Sequence, residues 1–152
     1  MDNESIKARV QTLVPEAQLE DNKQFITFVI PAEKMHDLAL SLKNNEDLAF
    51  DYLFCLTGID TVKHLGIVYH LSSTKYGHSV VLKVQTPDRE NPAFDTVCDV
   101  WRSGEFYERE VFDLFGIRFN NHPDLRRIFL DDNWKGFPFR KDYVDEINIV
   151  EL

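Results

Sequence analysis

The sequence predicts an α+β fold: a two-layer domain with helices on one face of a mixed, largely antiparallel sheet of about four strands, plus an extended C-terminal tail. Hydrophobic residues alternate between helical and strand-like spacing as far as residue 115. Two strand-like segments flank a short turn, which is typical of an antiparallel hairpin. From Gly116 onward no spacing is sustained, although aromatic residues and arginines are frequent. We therefore divide the chain into an α+β domain at 1–115 and an extended tail at 116–152.

The first part of the domain is predicted to form two helices and one strand. Apolar residues recur at helical spacing over 5–14, with Ser5 as a possible N-cap. Residues 24–30 read QFITFVI, which is rich in β-formers and favours a strand. Pro31 then begins a second helix, at a position where its missing N–H costs nothing. The buried stripe of that helix is expected to contain Met35, Leu38, Ala39 and Leu42.

The second part of the domain is predicted to form three strands followed by two helices. The strands are expected at 51–57, 65–72 and 79–85. A turn containing Gly77 separates the last two, so they should pair as a hairpin. A helix is predicted over 93–101, with one apolar face formed by Phe94, Val97, Cys98 and Trp101. The last helix is predicted over 105–115.

Composition and charge exclude several classes of function. The net charge is −9, whereas a general nucleic-acid binder needs clustered Lys and Arg for phosphate contacts. The acidic, polar start contains no apolar segment typical of a secretory signal, and no uncharged apolar run approaches the length of a membrane span. Cys55 and Cys98 lie among apolar neighbours, which favours buried thiols in a reducing compartment over a disulfide. We expect a soluble cytoplasmic polypeptide that meets a membrane only through another protein.

The sequence offers no strong signal for catalysis, a cofactor or a metal. His64, His70 and His78 have no cysteine pair or carboxylate at ligand spacing, so hydrogen-bonded or exposed histidines are favoured over metal ligands. Two cysteines are too few for an iron–sulfur cluster, which takes about four thiolates. Glycine-rich phosphate loops and nucleophile motifs are absent from the sequence. We predict no catalytic, cofactor-binding or metal-binding residue in this chain.

The charged face of the last predicted helix is the remaining candidate site. At 100° per residue, this face contains Glu105, Glu108, Arg109 and Asp113. The simplest interpretation is a solvated face with Glu105–Arg109 and Arg109–Asp113 pairs, while Tyr107, Val111, Leu114 and Phe115 point inward. A less favoured alternative is a small acid–base enzyme that uses Glu108 and Glu110. Phe106 and Phe112 fall on or beside the charged face, which is typical of a partner surface.

The tail has the residue types of a protein interface. Residues 120–124 have turn chemistry, and Asp124 is a possible cap for one helical turn at 125–129. The later aromatic residues are separated by Gly136 and Pro138, so no helix can continue there. Arginines and Trp134 on such a segment favour a partner contact. The alternative is a strap that folds back over the chain's own sheet.

One long ordered pattern in this region resembles a known family. It comprises Glu108-Arg109-Glu110, Asp113, Gly116-Ile117, Phe119, His122-Pro123-Asp124-Leu125-Arg126-Arg127-Ile128, Gly136, Pro138 and Arg140-Lys141-Asp142-Tyr143. The pattern is similar to the C subunit, or thirty-kilodalton subunit, of respiratory complex I, the NADH:quinone oxidoreductase. Phe137 stands where a histidine is common in that family, and Val144 where a proline usually follows.

The resemblance implies a scaffold subunit rather than a catalyst. It implies that this chain holds no cofactor, while the complex as a whole is a translocase that uses FMN, iron–sulfur clusters, NADH and quinone. The expected partners are the quinone-site D subunit, around which the tail would wrap, and neighbouring peripheral-arm subunits. The expected location is peripheral, on the cytoplasmic side of the bacterial inner membrane. An equivalent subunit of a membrane-bound hydrogenase, or of a dehydrogenase fed by another donor, is the nearest alternative.

The predicted partner interface combines the helix and the tail. It consists of Phe106, Glu108, Arg109, Glu110, Phe112, Asp113, His122, Asp124, Arg126, Arg127, Trp134, Arg140 and Lys141.

Overall fold

The computed structural model describes residues 1–145, so the last part of the predicted tail, 146–152, lies outside the described residues. Within residues 1–145, three α-helices and seven strands follow in the order α1 (Asn3–Leu13), β1 (Gln18–Glu20), β2 (Thr27–Val29), α2 (Met35–Asn44), β3 (Tyr52–Asp60), β4 (Leu65–Ser72), β5 (Ser79–Thr86), β6 (Ala93–Asp95), α3 (Gly104–Phe115) and β7 (Arg118–Asn120). A 3-10 turn at Ala32–Lys34, directly after Pro31, leads into α2. The predicted α+β class is confirmed.

The main sheet has five strands in the order β1-β2-β5-β4-β3. The β2–β5 pair is parallel and the three other pairs are antiparallel, so the sheet is mixed and largely antiparallel, as predicted. The predicted hairpin is the β4–β5 pair, and Gly77 in its turn has a φ of 74°. The additional strand, β1, has two exposed residues in three, and this short polar segment gave no strand signal in the sequence.

The helices α1 and α2 contribute to one hydrophobic core with the strands. The predicted stripe of α2, Met35, Leu38, Ala39 and Leu42, is buried. In α1, Ile6 and Val10 are fully buried. The N-cap of α1 is Asp2 rather than Ser5, because the Asp2 carboxylate accepts a hydrogen bond from the Ser5 backbone N–H at 2.8 Å.

The predicted helix over 93–101 is wrong. Its apolar residues Phe94, Val97 and Trp101 are buried as expected, but the backbone of Ala93–Asp95 is extended and pairs in parallel with β7. The Val100 and Trp101 N–H groups both bond to the Val97 carbonyl, so a single turn follows the strand. Apolar spacing of three and four residues fits this strand-plus-turn as well as a helix, and the partner strand that decides between them is remote in sequence.

The strand β7 shows that the predicted tail begins inside the core. Ile117 and Phe119 are buried, and Phe94 lies opposite Phe119 in the β6–β7 register. The end of α3 leads into this strand through Gly116, which has a φ of 72° and whose N–H bonds to the Phe112 carbonyl at 2.9 Å. The left-handed conformation here favours glycine.

We expect Gly116→Ala to lower the free energy of unfolding by roughly 1–3 kcal/mol more than Gly77→Ala, because it adds overpacking to the same backbone strain. The two glycines have nearly equal φ values, 72° and 74°. A Cβ atom at Gly116 would lie 2.6 Å from the Phe137 ring, whereas a Cβ atom at Gly77 meets nothing within 4 Å. Urea denaturation of the two variants measures the difference. Equal losses would mean that Phe137 does not restrict Gly116.

Candidate functional site

Three of the charged residues of α3 are buried, so the predicted solvated face is wrong. Glu108 and Asp113 have no exposed surface, and Arg109 is 7% exposed. Within residues 1–145, the predicted Glu105–Arg109 and Arg109–Asp113 pairs are not among the ion pairs. The turn after β6 and the loop 126–130 make hydrogen bonds to these side chains, and neither contact follows from helical periodicity.

The carboxylate of Asp113 organises the loop that follows β7. One oxygen accepts the backbone N–H groups of Ile128, Phe129 and Leu130 at 3.2, 2.7 and 3.0 Å. The other oxygen accepts the Arg127 guanidinium at 2.8 Å. Burial alone would raise the pKa of Asp113, but the bonds from Arg127 and the three amides outweigh burial and lower the pKa. Asp113 therefore stays ionised, and its charge is neutralised inside the chain.

Two arginines complete this connection between α3 and the tail. Arg127 donates to the Asp113 backbone carbonyl at 2.9 Å and to the carbonyls of Trp134 and Gly136 at 3.2 and 2.9 Å. Its guanidinium also lies 4.9 Å from the centroid of the Phe137 ring. Arg109 donates to the backbone carbonyls of Arg126 and Arg127, both at 3.2 Å. The path of the chain from residue 126 to residue 137 is thus defined by its own side chains.

Glu108 fixes the turn after β6. Thr96 donates its hydroxyl to one Glu108 oxygen at 2.5 Å, and the Val97 N–H reaches the other at 3.4 Å. Burial raises the pKa of Glu108 to about 8, although these two bonds act in the opposite direction. A group with this pKa can exchange a proton near neutral pH. However, Glu108 has no exposed surface, so it cannot contact a substrate in this conformation. Glu110 is partly exposed and lies in the same helix.

The end of the described tail is attached to the β3–β4 end of the sheet. Asp60 accepts two hydrogen bonds of 2.8 Å from Arg89, and the Lys141 backbone N–H bonds to the same carboxylate at 2.8 Å. Arg140 donates to the Arg89 carbonyl at 2.8 Å and pairs with Asp142 at 2.9 Å. Hydrogen bonds from Arg89 hold the pKa of Asp60 well below its usual range.

The predicted helical turn at 125–129 is wrong, and Asp124 is not its cap. Asp124 instead pairs with Arg126 at the surface, where their side chains are 49% and 66% exposed. The amides of the loop are accepted by Asp113 rather than by a capping residue. His122 accepts the Asp124 N–H at Nδ1, at 3.0 Å, and its Nε2 lies 3.0 Å from the Glu105 carbonyl.

Several large apolar side chains of α3 and the tail are exposed. Phe106, Phe129 and Phe139 are 60, 64 and 60% exposed, and Trp134 is 40% exposed. Phe112 is partly buried, with its ring centroid 6.2 Å from that of Phe137. A groove of about 910 Å³ lies along residues 133–145, and the residues lining it include Trp134, Lys135, Phe137, Arg140 and Tyr143.

The structure divides the thirteen predicted interface residues into three sets. Five of them make hydrogen bonds within the chain itself: Glu108, Arg109, Asp113, Arg127 and Arg140. Phe106, Asp124, Arg126, Trp134 and Lys141 are exposed, and Glu110, Phe112 and His122 are partly buried. That these residues contact a partner stays a prediction. Asp60, Arg89 and Thr96 carry no signal in the sequence, since each lies outside the family-like pattern and acts on a residue remote in sequence.

Comparison with known proteins identifies the family. Residues 28–147 match the model of the family described as "Respiratory-chain NADH dehydrogenase, 30 Kd subunit". The chain belongs to this family. A relative from Chlorobium phaeobacteroides, the C subunit of NADH-quinone oxidoreductase, is 41% identical over 118 residues, or 76% of this chain and 70% of that protein. The C subunit from Roseiflexus castenholzii is 34% identical over 93% of this chain and 84% of that protein.

Some relatives are much longer than this chain. The C/D subunit of NADH-quinone oxidoreductase from Phocaeicola vulgatus is 47% identical over 124 residues, which are 81% of this chain but 24% of that protein. The chain thus matches about a quarter of the length of the C/D relatives. A solved structure of a membrane-bound sulfane sulfur reductase, described as an archaeal respiratory membrane complex, contains a similar chain. Its TM-score is 0.79 at 26% identity, with 95% of this chain and 86% of that chain covered.

Residues 1–145 include no helix with the length and hydropathy of a membrane span.

Proposed function

We propose that this chain is a scaffold subunit of the peripheral arm of a proton-translocating NADH:quinone oxidoreductase. In this role it binds no redox cofactor itself and orders neighbouring subunits, above all the quinone-site D subunit. The complex, with its FMN, iron–sulfur clusters, NADH and quinone, performs the reaction. The family match over residues 28–147 carries the proposal. The position proposed for the complex is the cytoplasmic side of the bacterial inner membrane.

The C/D relatives support the D subunit as the direct partner. In Phocaeicola vulgatus, the matching segment belongs to a single polypeptide named for both subunits. Two proteins joined in one chain are held at a high effective concentration, which suits partners that function side by side. We infer that the chain described here makes the equivalent contact with a D-type subunit.

The exposed aromatic residues support a docking surface on α3 and the tail. Phe106, Phe129 and Phe139 each expose about 60% of their surface, and a groove runs beside Trp134. Buried aromatic anchors account for much of the energy of typical protein interfaces. Because Asp113 and Arg127 hold the loop in place, a partner meets a largely preformed surface, which lowers the entropic cost of association.

Affinity purification from solubilised membranes tests this function. A tag on this chain is expected to recover a D-type subunit together with NADH-driven quinone reductase activity. Deletion of the gene should remove that activity, and the full-length chain should restore it. A chain that is recovered alone from membranes with intact NADH:quinone activity would contradict the proposal.

We expect Arg126→Ala to reduce recovery of the complex at least several-fold while leaving the melting temperature of the isolated chain nearly unchanged. Arg126 is 66% exposed and pairs only with surface Asp124 among the ion pairs of residues 1–145. Removing one member of a buried charge pair at an interface costs about 2–5 kcal/mol. Co-purification yield and thermal unfolding provide the two readouts.

Arg140→Ala is the matched comparison for Arg126→Ala. The Arg140 side chain is 13% exposed and bonds to Arg89 and Asp142, so its loss should lower the melting temperature as well as the recovery. If Arg126→Ala leaves recovery unchanged, Arg126 is not part of the interface.

A second candidate function is the equivalent subunit of a respiratory complex with another electron donor. The structural similarity to a chain of the sulfane sulfur reductase complex favours it, with a TM-score of 0.79 over 95% of this chain. The purified complex distinguishes the two candidates. NADH-driven quinone reduction supports the NADH:quinone oxidoreductase, whereas hydrogen- or sulfur-linked activity without NADH oxidation supports the alternative. A nickel-binding CxxC pair in the large partner subunit would indicate a hydrogenase.

The weaker acid–base alternative rests on Glu108 and Glu110. Its test is a cofactor-free turnover assay on the purified chain, with Glu108→Gln and Glu110→Gln as controls. Glu108 is fully buried, and its carboxylate accepts hydrogen bonds from Thr96 and Val97. We therefore expect the purified chain to show no turnover that depends on Glu108 or Glu110.

A further inference from the structure

Three side chains with metal-binding atoms meet between β6, α3 and the segment after β7. The Cys98 sulfur, a Glu108 carboxylate oxygen and a ring nitrogen of His122 all lie within 4.8 Å of one another. They are 10 and 14 residues apart in sequence. This spacing matches no familiar metal motif, so the sequence alone does not indicate the site.

From this juxtaposition we propose that Cys98, Glu108 and His122 form a binding site for one divalent transition-metal ion of the zinc class. Thiolate, imidazole and carboxylate are the ligands that such borderline ions take in proteins. Ligands around a tetrahedral zinc are separated by roughly 3–4 Å, given bonds of about 2.0–2.3 Å. A separation of at most 4.8 Å therefore requires only a small closing movement. With three protein ligands, the fourth position is left for water.

The surroundings of the three side chains suit an ion that enters from solvent. Glu108 is fully buried, whereas Cys98 and His122 are partly exposed. Two of the ligands are also held by the backbone of another element. Glu108 accepts the Val97 backbone N–H, and the Nε2 of His122 lies 3.0 Å from the Glu105 backbone carbonyl. Such outer contacts orient the ligands of natural metal sites.

Metal binding competes with one existing hydrogen bond of His122. Its Nδ1 accepts the Asp124 N–H, and its Nε2 therefore donates to the Glu105 carbonyl. If the ion takes Nδ1, the Nε2–H bond to the carbonyl is kept, which is the usual support of a ligating histidine. Binding also releases the proton of the Cys98 thiol and that of Glu108, because both must be deprotonated to act as ligands, so we expect micromolar rather than nanomolar affinity.

Titration of the untagged, reduced chain with Co²⁺ alone, and then with Zn²⁺ alone, tests the site. Co²⁺ is expected to bind at one equivalent and to give a thiolate-to-cobalt charge-transfer band, which Zn²⁺ then displaces. Cys98→Ser should abolish the band, and His122→Gln should weaken binding at least tenfold. The matched controls Cys55→Ser and His64→Gln should bind as the unaltered chain does. Binding that survives both Cys98→Ser and His122→Gln would overturn the proposal.

A second measurement needs no variant and therefore does not depend on the folding of one. Zn²⁺ should slow alkylation of Cys98 by a thiol reagent, while alkylation of Cys55 proceeds at the same rate. Peptide mass spectrometry measures both sites in one sample. Equal rates at Cys98 with and without Zn²⁺ would show that the three residues form only a hydrogen-bonded cluster, and would overturn the proposal. The outcome is independent of the partner subunits, so it is separable from the proposed function.

Discussion

Asp113→Ala is expected to lower the free energy of unfolding by about 3–5 kcal/mol, because it leaves the positive charge of Arg127 without a carboxylate in a largely buried position. The Arg127 side chain is 11% exposed and lies 2.8 Å from the Asp113 carboxylate. The same substitution removes the acceptor of the Ile128, Phe129 and Leu130 amides. Urea denaturation measures the loss of stability. Hydrogen exchange should show faster exchange of the three amides.

Asp124→Ala is the matched control, since it removes another aspartate that pairs with an arginine. That pair is largely exposed, so its loss should cost about 0–1 kcal/mol and leave the three amides protected. If both substitutions cost the same, the Asp113 network does not hold the loop. Fast exchange at Phe129 and Leu130 in the unaltered, isolated chain would instead support the prediction that a partner orders the tail.

Glu108→Gln is expected to remove a pH-dependent loss of stability. Burial raises the pKa of Glu108 from 4.5 to about 8, so the folded chain holds a proton that the unfolded chain loses between these values. The free energy of unfolding therefore falls as the pH rises from 4.5 to 8 and levels off above it. Because each pKa unit corresponds to about 1.4 kcal/mol, the fall should amount to a few kcal/mol. A neutral glutamine keeps the shape and cannot ionise.

The contribution of Glu108 is measured by denaturing the unaltered chain and the Glu108→Gln variant at about pH 5 and about pH 8.5. The two proteins share every other titrating group, so the difference between them reports on Glu108. Stability should change less for the variant between the two pH values. Glutamine still offers an acceptor to Thr96 but not to the Val97 N–H, so a small constant cost is also expected. A constant difference across the pH range would show that Glu108 does not titrate there.

Local sequence patterns were sufficient where one element decides its own structure. The period-two segments around Gly77 gave the β4–β5 hairpin with nearly correct ends, because its strands are neighbours in sequence. The stripe of α2 follows from helical spacing alone. The family resemblance, based on the ordered residues of α3 and the tail, was confirmed by the match over residues 28–147.

Prediction from the sequence was wrong where a remote segment decides the outcome. Residues 93–95 become a strand because β7 lies beside them, and Glu108 becomes buried because the turn at Thr96 covers it. The loop 125–129 is not helical, because the Asp113 carboxylate accepts the amides that a helical turn would have used. Helical periodicity marks a polar face as solvated, and only tertiary contacts can reverse that assignment.

The attachment of Lys141 to Asp60 sets the starting point of any polypeptide beyond residue 145. The backbone N–H of Lys141 and the side chain of Arg140 fix this point of the chain to the end of the main sheet. A continuing polypeptide thus starts from a defined position on the domain surface rather than from a freely moving end. A fused protein would therefore explore a smaller volume, which raises its effective concentration at a nearby docking surface. Attachment of the chain at Lys141 would allow a separate subunit and a fused one to share a single docking geometry.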